Sequence, residues 1–396
     1  MIAVVTIFYW ASKPPLPIPP AIMPTPNAYD DFMAAGKLSA DTKKIGYAIM
    51  VNHITKRHED RTYTLQEKTK MLQENRQALM RVRIGLTHEC GNPLSRTVDL
   101  GLSEQQPFLS LSRLFTLEYQ VCGASGNHSA AMKSCLDQAQ FGAVLINDCT
   151  YVDVSRGMRF QRVSFAHGWD ELPHLNARSA ANAALRLEQI DRATIPFVAM
   201  RAEQKWAGLT LIQQAMIPPN RRQDPIAQAL QRLNERRFAD DMDRLIQKAS
   251  TPWSTLVHDV APKKQNAVYI MANLLEIDDH NGYQYFHTAA KRRLFLTALA
   301  LKAYRDDTGA YPTSISQLTP RYLTSVPIDP FSSQANPLQY KRNGAAYLLY
   351  SVGPDAKDNG GKAAQYHPTS NQPLTAANRY LIGYDSVGDI VAGVNK

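Results

Sequence analysis

The chain runs to 396 residues, 44% apolar and 20% charged. That length accommodates two or three domains with buried cores, and that balance excludes wholesale disorder. The formal charge of +9 is scattered over Arg81, Arg83, Arg221, Arg222, Arg236, Arg237, Lys291, Arg292 and Arg293, with acids interrupting them. No basic stripe interleaved with aromatics follows a phosphate backbone, which argues against nucleic acid as a partner.

Residues 1–12 open on the apolar run Met1-Ile-Ala-Val-Val-Thr-Ile-Phe-Tyr-Trp10. This is about half of the ~20 residues that span a bilayer, without the basic flank or small-residue cleavage site of a signal peptide. It reads as the outer half of a membrane anchor, with Tyr9 and Trp10 in the interfacial aromatic belt, or as an apolar strand packed on a soluble body. Residues 13–26 carry Lys13-Pro-Pro-Leu-Pro-Ile-Pro-Pro20 and read as a stiff, extended stalk. The expected partner of this end is a membrane.

Residues 27–284 read as a helical domain. Ser103 to Val121 carries Leu109, Leu111, Leu114, Phe115 and Leu117 at helical spacing, Gly123-Ala-Ser-Gly-Asn127 breaks the pattern, and Ser129 to Ile146 resumes it. Two amphipathic helices across a short glycine-containing turn predict an antiparallel hairpin, without a repeat at a fixed 34-residue period. Further helices are expected over Arg178 to Ile190, Glu203 to Met216 and Ile226 to Ala249. Cys90, Cys122, Cys135 and Cys149 lie in one segment without a Cys-x-x-Cys pair, which disfavours a zinc cluster. The hairpin would place Cys149 near Cys90 for a disulfide, leaving Cys122 and Cys135 as buried thiols; four free core cysteines are the alternative.

Catalytic motifs are sparse. There is no His-Glu-x-x-His, Gly361-Lys362-Ala363 lacks the spacing and hydroxyl of a P-loop, and Gly123-Ala-Ser-Gly-Asn127 is no nucleophile elbow. His88-Glu89-Cys90 reads as a loop histidine beside a structural cysteine. Glu203 and Trp206 on one helix, with Asp240, Asp241 and Asp243 on another, would line a cleft if the two helices converge; charged residues on amphipathic helices are otherwise a solvated face.

The last quarter, residues 285–396, changes character. Ala289 to Asp307 reads as a strong helix closed by Gly309 in a left-handed cap and stopped by Pro312, and Ser314 with Gln317 forms a capping box for one short helix. Leu338-Gln-Tyr-Lys-Arg342 and Ala345-Ala-Tyr-Leu-Leu349 flank Asn343-Gly344, the favoured two-residue turn of a β-hairpin. That register would oppose Tyr340 to Tyr347 and Leu338 to Leu349. The second strand runs into Gly353-Pro-Asp-Ala-Lys-Asp-Asn-Gly-Gly361, where Asp355 and Asp358 suit a hard cation or simply a solvated turn. A calcium ion takes about six to eight oxygens, so carbonyls near Ser351 and Gly353 and a distant acid from Tyr384-Asp-Ser-Val-Gly-Asp-Ile-Val391 would have to join them.

Several of these stretches occur in a familiar order: Leu296-Thr-Ala-Leu-Ala-Leu-Lys-Ala-Tyr-Arg305, Asp307-Thr-Gly-Ala-Tyr-Pro312, Leu318-Thr-Pro-Arg-Tyr-Leu323, Val326-Pro-Ile-Asp-Pro-Phe331 and Tyr350-Ser-Val-Gly-Pro-Asp355. Together they resemble the globular head of the major pseudopilin of type II secretion. The resemblance implies a structural calcium ion (Ca2+) in the loop, with Asp355 and Asp358 as ligands and Asp389 as a third. Ala356 stands where that family usually has glycine, and Lys362 to Gly383 is a long insertion before Asp389. Lys291-Arg292-Arg293 and a preceding helical domain also depart from a pilin, so the chain should not polymerise as one.

The expected fold class is therefore α+β and multidomain: a mostly α-helical middle domain of helical hairpins and a small C-terminal pseudopilin-like α+β head with a β-hairpin. The expected function is that of a non-catalytic scaffold or interaction protein of the bacterial cell envelope, on its extracytoplasmic side, anchored to the membrane and bound to an unidentified envelope protein. The alternative is an enzyme of unknown class, with its active site in a cleft of the helical domain.

Overall fold

A computed structural model describes residues 2–40, 42–50, 63–99, 105–147, 151–257, 269–365 and 382–395. In chain order its helices are α1 (Ile2–Ala11), α2 (Ala28–Leu38), α3 (Thr42–Met50), α4 (Leu65–Glu74), α5 (Arg76–Gly85), α6 (Gln105–Ala124), α7 (His128–Ile146), α8 (Tyr151–Glu171), α9 (Ala177–Ala193), α10 (Phe197–Ala215), α11 (Pro225–Lys248), α12 (Trp253–Val257) and α13 (Tyr269–Thr308). The strands β1 (Gln339–Asn343), β2 (Ala346–Ser351) and β3 (Ile390–Val391) form one antiparallel sheet in the order β1-β2-β3. The chain is thus a mostly helical α+β protein.

The N-terminal apolar run is a helix, not a strand. α1 packs along α11 with Ile7, Trp10 and Ala11 half-buried on one side, and Val5, Phe8 and Tyr9 exposed on the other. The proline tract does not project as a stalk but lies across α10 and α11. Prolines carry no N–H, so much of the tract's bonding must run through its carbonyls to outside donors. Arg232 Nε donates to Lys13 O (3.0 Å), Gln213 Nε2 to Leu16 O (2.8 Å), and Arg96 Nη1 to Pro19 O and Pro20 O (2.6 and 2.8 Å). Leu16 and Ile18 close over a small core of Leu209, Ile212, Phe238 and Met242. Among the described residues, no helix is long and apolar enough to cross a membrane.

The hairpin predicted from residues 103–146 is present as α6 and α7, and Asn127 caps α7 by accepting from Ala130 N (3.1 Å). A core of Phe32, Phe108, Phe115, Phe141 and Phe160 packs α2, α6, α7 and α8 together. α7 and α8 touch through glycine: a Cβ on Gly142 would meet Gly157 O at 2.4 Å, and one on Gly157 would meet Gly142 O at 2.4 Å. No larger side chain lets the two backbones approach so closely. The expected Cys90–Cys149 pairing lies outside the described residues; Cys135 is a buried free thiol, and Cys122 a half-buried one.

The helix expected from Ala289 begins well before the sequence suggests. α13 starts at Tyr269 and crosses residue 285, so the helical body and the C-terminal region share it. They also share a core: Val154, Leu187, Phe197 and Trp253 belong to one cluster with Leu301, Phe331, Leu349 and Ile390. Each fully buried aliphatic or aromatic side chain contributes about 1.5–3 kcal/mol, so this seam is strong. Polar ties reinforce it. Asp191 of α9 accepts from Arg292 Nε (2.6 Å) and Arg293 Nε (3.1 Å), Glu188 accepts from Thr324 N (3.1 Å), and Lys302 Nζ donates to Leu175 O (2.6 Å).

Gly309 adopts φ +82° and its N–H returns to Arg305 O at 2.8 Å, the expected cap. Ser314 and Gln317 form the expected capping box. The hairpin is present in a different register: Tyr340 opposes Leu349, Arg342 opposes Tyr347, and the two-residue turn is Gly344-Ala345. Gly344 has φ +59° while Ala345 has no positive φ, the pattern of a turn with glycine first. The shift is by two residues, so every side chain keeps its face. Tyr340 and Tyr347 become diagonal neighbours, with ring centroids 6.1 Å apart.

Candidate functional site

β2 ends at Ser351, and the chain turns through Gly353 (φ +72°) into the acidic loop. A buried carboxylate holds this corner. Asp329 accepts from Phe331 N (3.0 Å) and Ser351 Oγ (2.7 Å) on one oxygen, and from Val352 N (2.8 Å) on the other. Burial raises its pKa, and these three donors oppose the rise. From the helical side, Trp253 Nε1 donates to Pro354 O at 2.8 Å, while its ring packs edge-on against Phe331. The loop is therefore pinned from both parts of the molecule.

Within the loop, Asp355 accepts from Lys357 N (3.1 Å), Asn359 Nδ2 (3.1 Å) and Gly388 N (3.2 Å). Asp358 accepts from Tyr350 Oη (2.9 Å) and Gly360 N (2.8 Å). Asp389 reaches back across the long insertion to accept from Asn359 N (3.2 Å) and Gly361 N (2.6 Å). Its own backbone completes the clamp, since Asp389 N donates to Lys362 O (2.9 Å) and Ala364 N donates to Asp389 O (2.8 Å). Desolvation pushes the Asp389 carboxyl up to about 6; the two backbone donors oppose this, while the charges of Asp358 and Asp355 add to it.

The structure thus brings Asp355, Asp358 and Asp389 to one loop. Of the carbonyls expected to join them, Gly353 O accepts the turn bond from Ala356 N (3.0 Å), and beside it the Ser351 hydroxyl donates to Asp329. Ala356, where the resemblance expects glycine, sits at φ +54° in the left-handed region that glycine occupies without strain. Among the described residues, no three His, Cys, Asp or Glu side chains are arranged to hold a metal ion between them. Asp329 and Trp253 were not among the sequence-derived site residues. The Pro-x-Asp-Pro spacing flagged Asp329 only as part of a motif, and nothing local marks Trp253.

α10 and α11 do pack together, and the carboxylates expected to line a cleft between them are each ion-paired or exposed. Glu203 is held bidentately by Arg96 (2.6 and 3.0 Å), Asp243 pairs with Lys205 (2.6 Å), Asp241 pairs with Arg244, and Asp240 is exposed. His88 lies 2.7 Å from buried Asp31, which also pairs with Arg81 at 2.6 Å. No family model, curated protein or solved structure matches this chain.

Proposed function

We propose that the chain is a non-catalytic scaffold or interaction protein of a bacterial cell envelope, with a pseudopilin-like C-terminal head whose acidic loop takes a structural calcium ion. The observation that carries this reading is the continuity of α13 and of the core around it. A scaffold has to hold one surface in a fixed relation to another, and a shared helix with a shared core does so without a hinge. The loop adds a place where an ion would stiffen the head. Three carboxylates gather there, and no lysine or arginine ion pair reaches them among the described residues. The rise at Asp389 reflects a site in which negative charge is costly, and bound Ca2+ would relieve that cost. Asp355, Asp358 and Asp389 are not arranged around a common point in this structure, so they would hold the ion only on turning away from some of their present N–H partners.

At the other end, Val5, Phe8 and Tyr9 at i, i+3 and i+4 give α1 an exposed apolar face, with Lys13 over the Tyr9 ring and Arg236 over the Trp10 ring. An in-plane helix with this edge suits an anionic membrane surface.

The test is thermal unfolding of the full chain in EGTA and then in millimolar Ca2+, alongside flotation with phosphatidylglycerol vesicles. The expected results are a calcium-dependent rise in midpoint that Asp355→Ala removes, and vesicle binding that Phe8→Ser weakens. No calcium shift would remove the ion from the account, and equal recovery with phosphatidylcholine vesicles or none would remove the membrane.

A further inference from the structure

A second charged cluster lies away from the acidic loop, where α8 faces the middle of α13. Tyr283, His287 and Lys291 recur at i, i+4 and i+8 on one face of α13, and Arg162 of α8 reaches the same face by donating to Thr288 Oγ1 at 3.1 Å. His287 is only 6% exposed, stacks on Tyr283 with centroids 5.4 Å apart, and has no hydrogen-bond partner at either ring nitrogen. Lys291 forms neither a hydrogen bond nor an ion pair among the described residues, and Thr288 is the one partner of Arg162 there. Arg159, one turn from Arg162, is exposed and adds its charge to the same side.

The neighbouring residues show that this is not how the fold usually treats its cations. Arg292 and Arg293, adjacent to Lys291 in sequence, share Asp191. Arg83 and Arg186 share Asp137, and Arg156 has Asp153. Charge withdrawn from water without a partner is costly, and an unpaired buried polar atom calls for a reason. Desolvation lowers Lys291 to about 8 and Arg162 also falls below its usual range, mainly through burial. Burial, with the charges of Lys291 and Arg162 added, drives His287 well below the ordinary imidazole value.

We propose that Arg162, His287, Thr288 and Lys291 form a binding site for a phosphate-type oxyanion. Arg162 offers a planar fork, Lys291 a point charge, and Thr288 and His287 single donors, a set whose charge and hydrogen-bond capacity match a tetrahedral oxyanion. Arg162 and Lys291 are half-buried and keep part of their surface in solvent, while His287 and Thr288 lie buried beneath them at 6% and 2% exposure. The proposal does not depend on the scaffold reading or on calcium.

It is tested on the full chain by thermal unfolding and titration calorimetry with inorganic phosphate, against potassium chloride at matched ionic strength. Wild type should rise by about 2–4 °C at saturating phosphate. Lys291→Met should lose most of that rise while keeping a phosphate-free midpoint at or above wild type, because it removes an uncompensated charge. Arg162→Gln should weaken phosphate binding about tenfold, and Arg237→Gln, an exposed arginine elsewhere, should leave it unchanged. Glycerol 3-phosphate in a parallel arm identifies the source: a larger response to the ester points to an organic phosphate, and a larger response to the inorganic ion to free phosphate. A phosphate response no greater than that of chloride, or one undiminished in both Lys291→Met and Arg162→Gln, overturns the proposal.

Discussion

At Asp355, Asp358 and Asp389, like charges gather under backbone N–H groups supplied by Lys357, Asn359, Gly360, Gly361 and Gly388. At Arg162 and Lys291, like charges gather beside an uncharged His287, and the one hydrogen-bond partner among the described residues is the Thr288 hydroxyl. The difference follows from the local backbone. A glycine-rich loop turns its amides inward and can solvate anions with its own dipoles. A helix has already spent its N–H and C=O groups on itself, so a cation on its face needs a carboxylate, a carbonyl or a ligand. One site is therefore self-satisfied and the other is not, even though both carry uncompensated charge.

The acidic loop is most vulnerable at Asp329, whose side chain accepts from Ser351 and Val352 at its base. Asp329→Ala leaves Phe331 N, Val352 N and Ser351 Oγ without their acceptor and should cost about 3 kcal/mol of stability, measured by urea unfolding. The cationic side responds in the opposite direction. Lys291→Met should gain about 1–2 kcal/mol at pH 7, because the folded protein no longer carries a costly charge. A lysine depressed to about 8 carries its full penalty below pH 8, and loses it as the pH rises toward the unfolded value. The wild-type deficit should therefore shrink between pH 8 and about 10, and a pH-independent gain would contradict desolvation of the ammonium as its cause.

Asp389 sharpens the contrast from the acidic side. Its folded pKa, about 6, lies above the unfolded carboxylate value, so without calcium its contribution falls as the pH rises from about 4 through 6. A calcium ion bound as proposed would compete with that proton, so the expected rise in midpoint on adding calcium is larger at pH 7.5 than at pH 5.5. The smallest effect is expected at Ala356. Replacing it with glycine relieves left-handed strain but frees the unfolded chain, for a net gain of up to about 1 kcal/mol in the same urea assay.

What the sequence made legible was local. Apolar spacing marked α6, α7, α9 and α11, Gly309 and Ser314 marked the punctuation after α13, and Asn343-Gly344 marked a hairpin, though not its register. A two-residue slip preserves the facing of every strand residue, so alternation alone could not choose between Asn343-Gly344 and Gly344-Ala345 as the turn. The start of α13 was missed because apolar spacing marked the helix only from Ala289, whereas the backbone runs on helically from Tyr269 through Glu276, Asp278, Asp279, Asn281 and Gly282. The acidic loop was visible as composition, and Asp389 as a distant acid. Its supports, Asp329 and Trp253, were not, because their bonds reach Val352 and Pro354 across long stretches of chain. The cationic cluster was hidden for the same reason: Arg162 and Lys291 become neighbours only when α8 packs on α13.

The helical body and the C-terminal region share α13 and the core around it and should behave as one mechanical unit. Scanning calorimetry of the full chain in EGTA, followed in parallel by tryptophan fluorescence, tests it most directly. One cooperative transition is expected, with fluorescence and heat absorption coinciding. Two separated transitions, with the head melting at its own temperature while the helices persist, would contradict it.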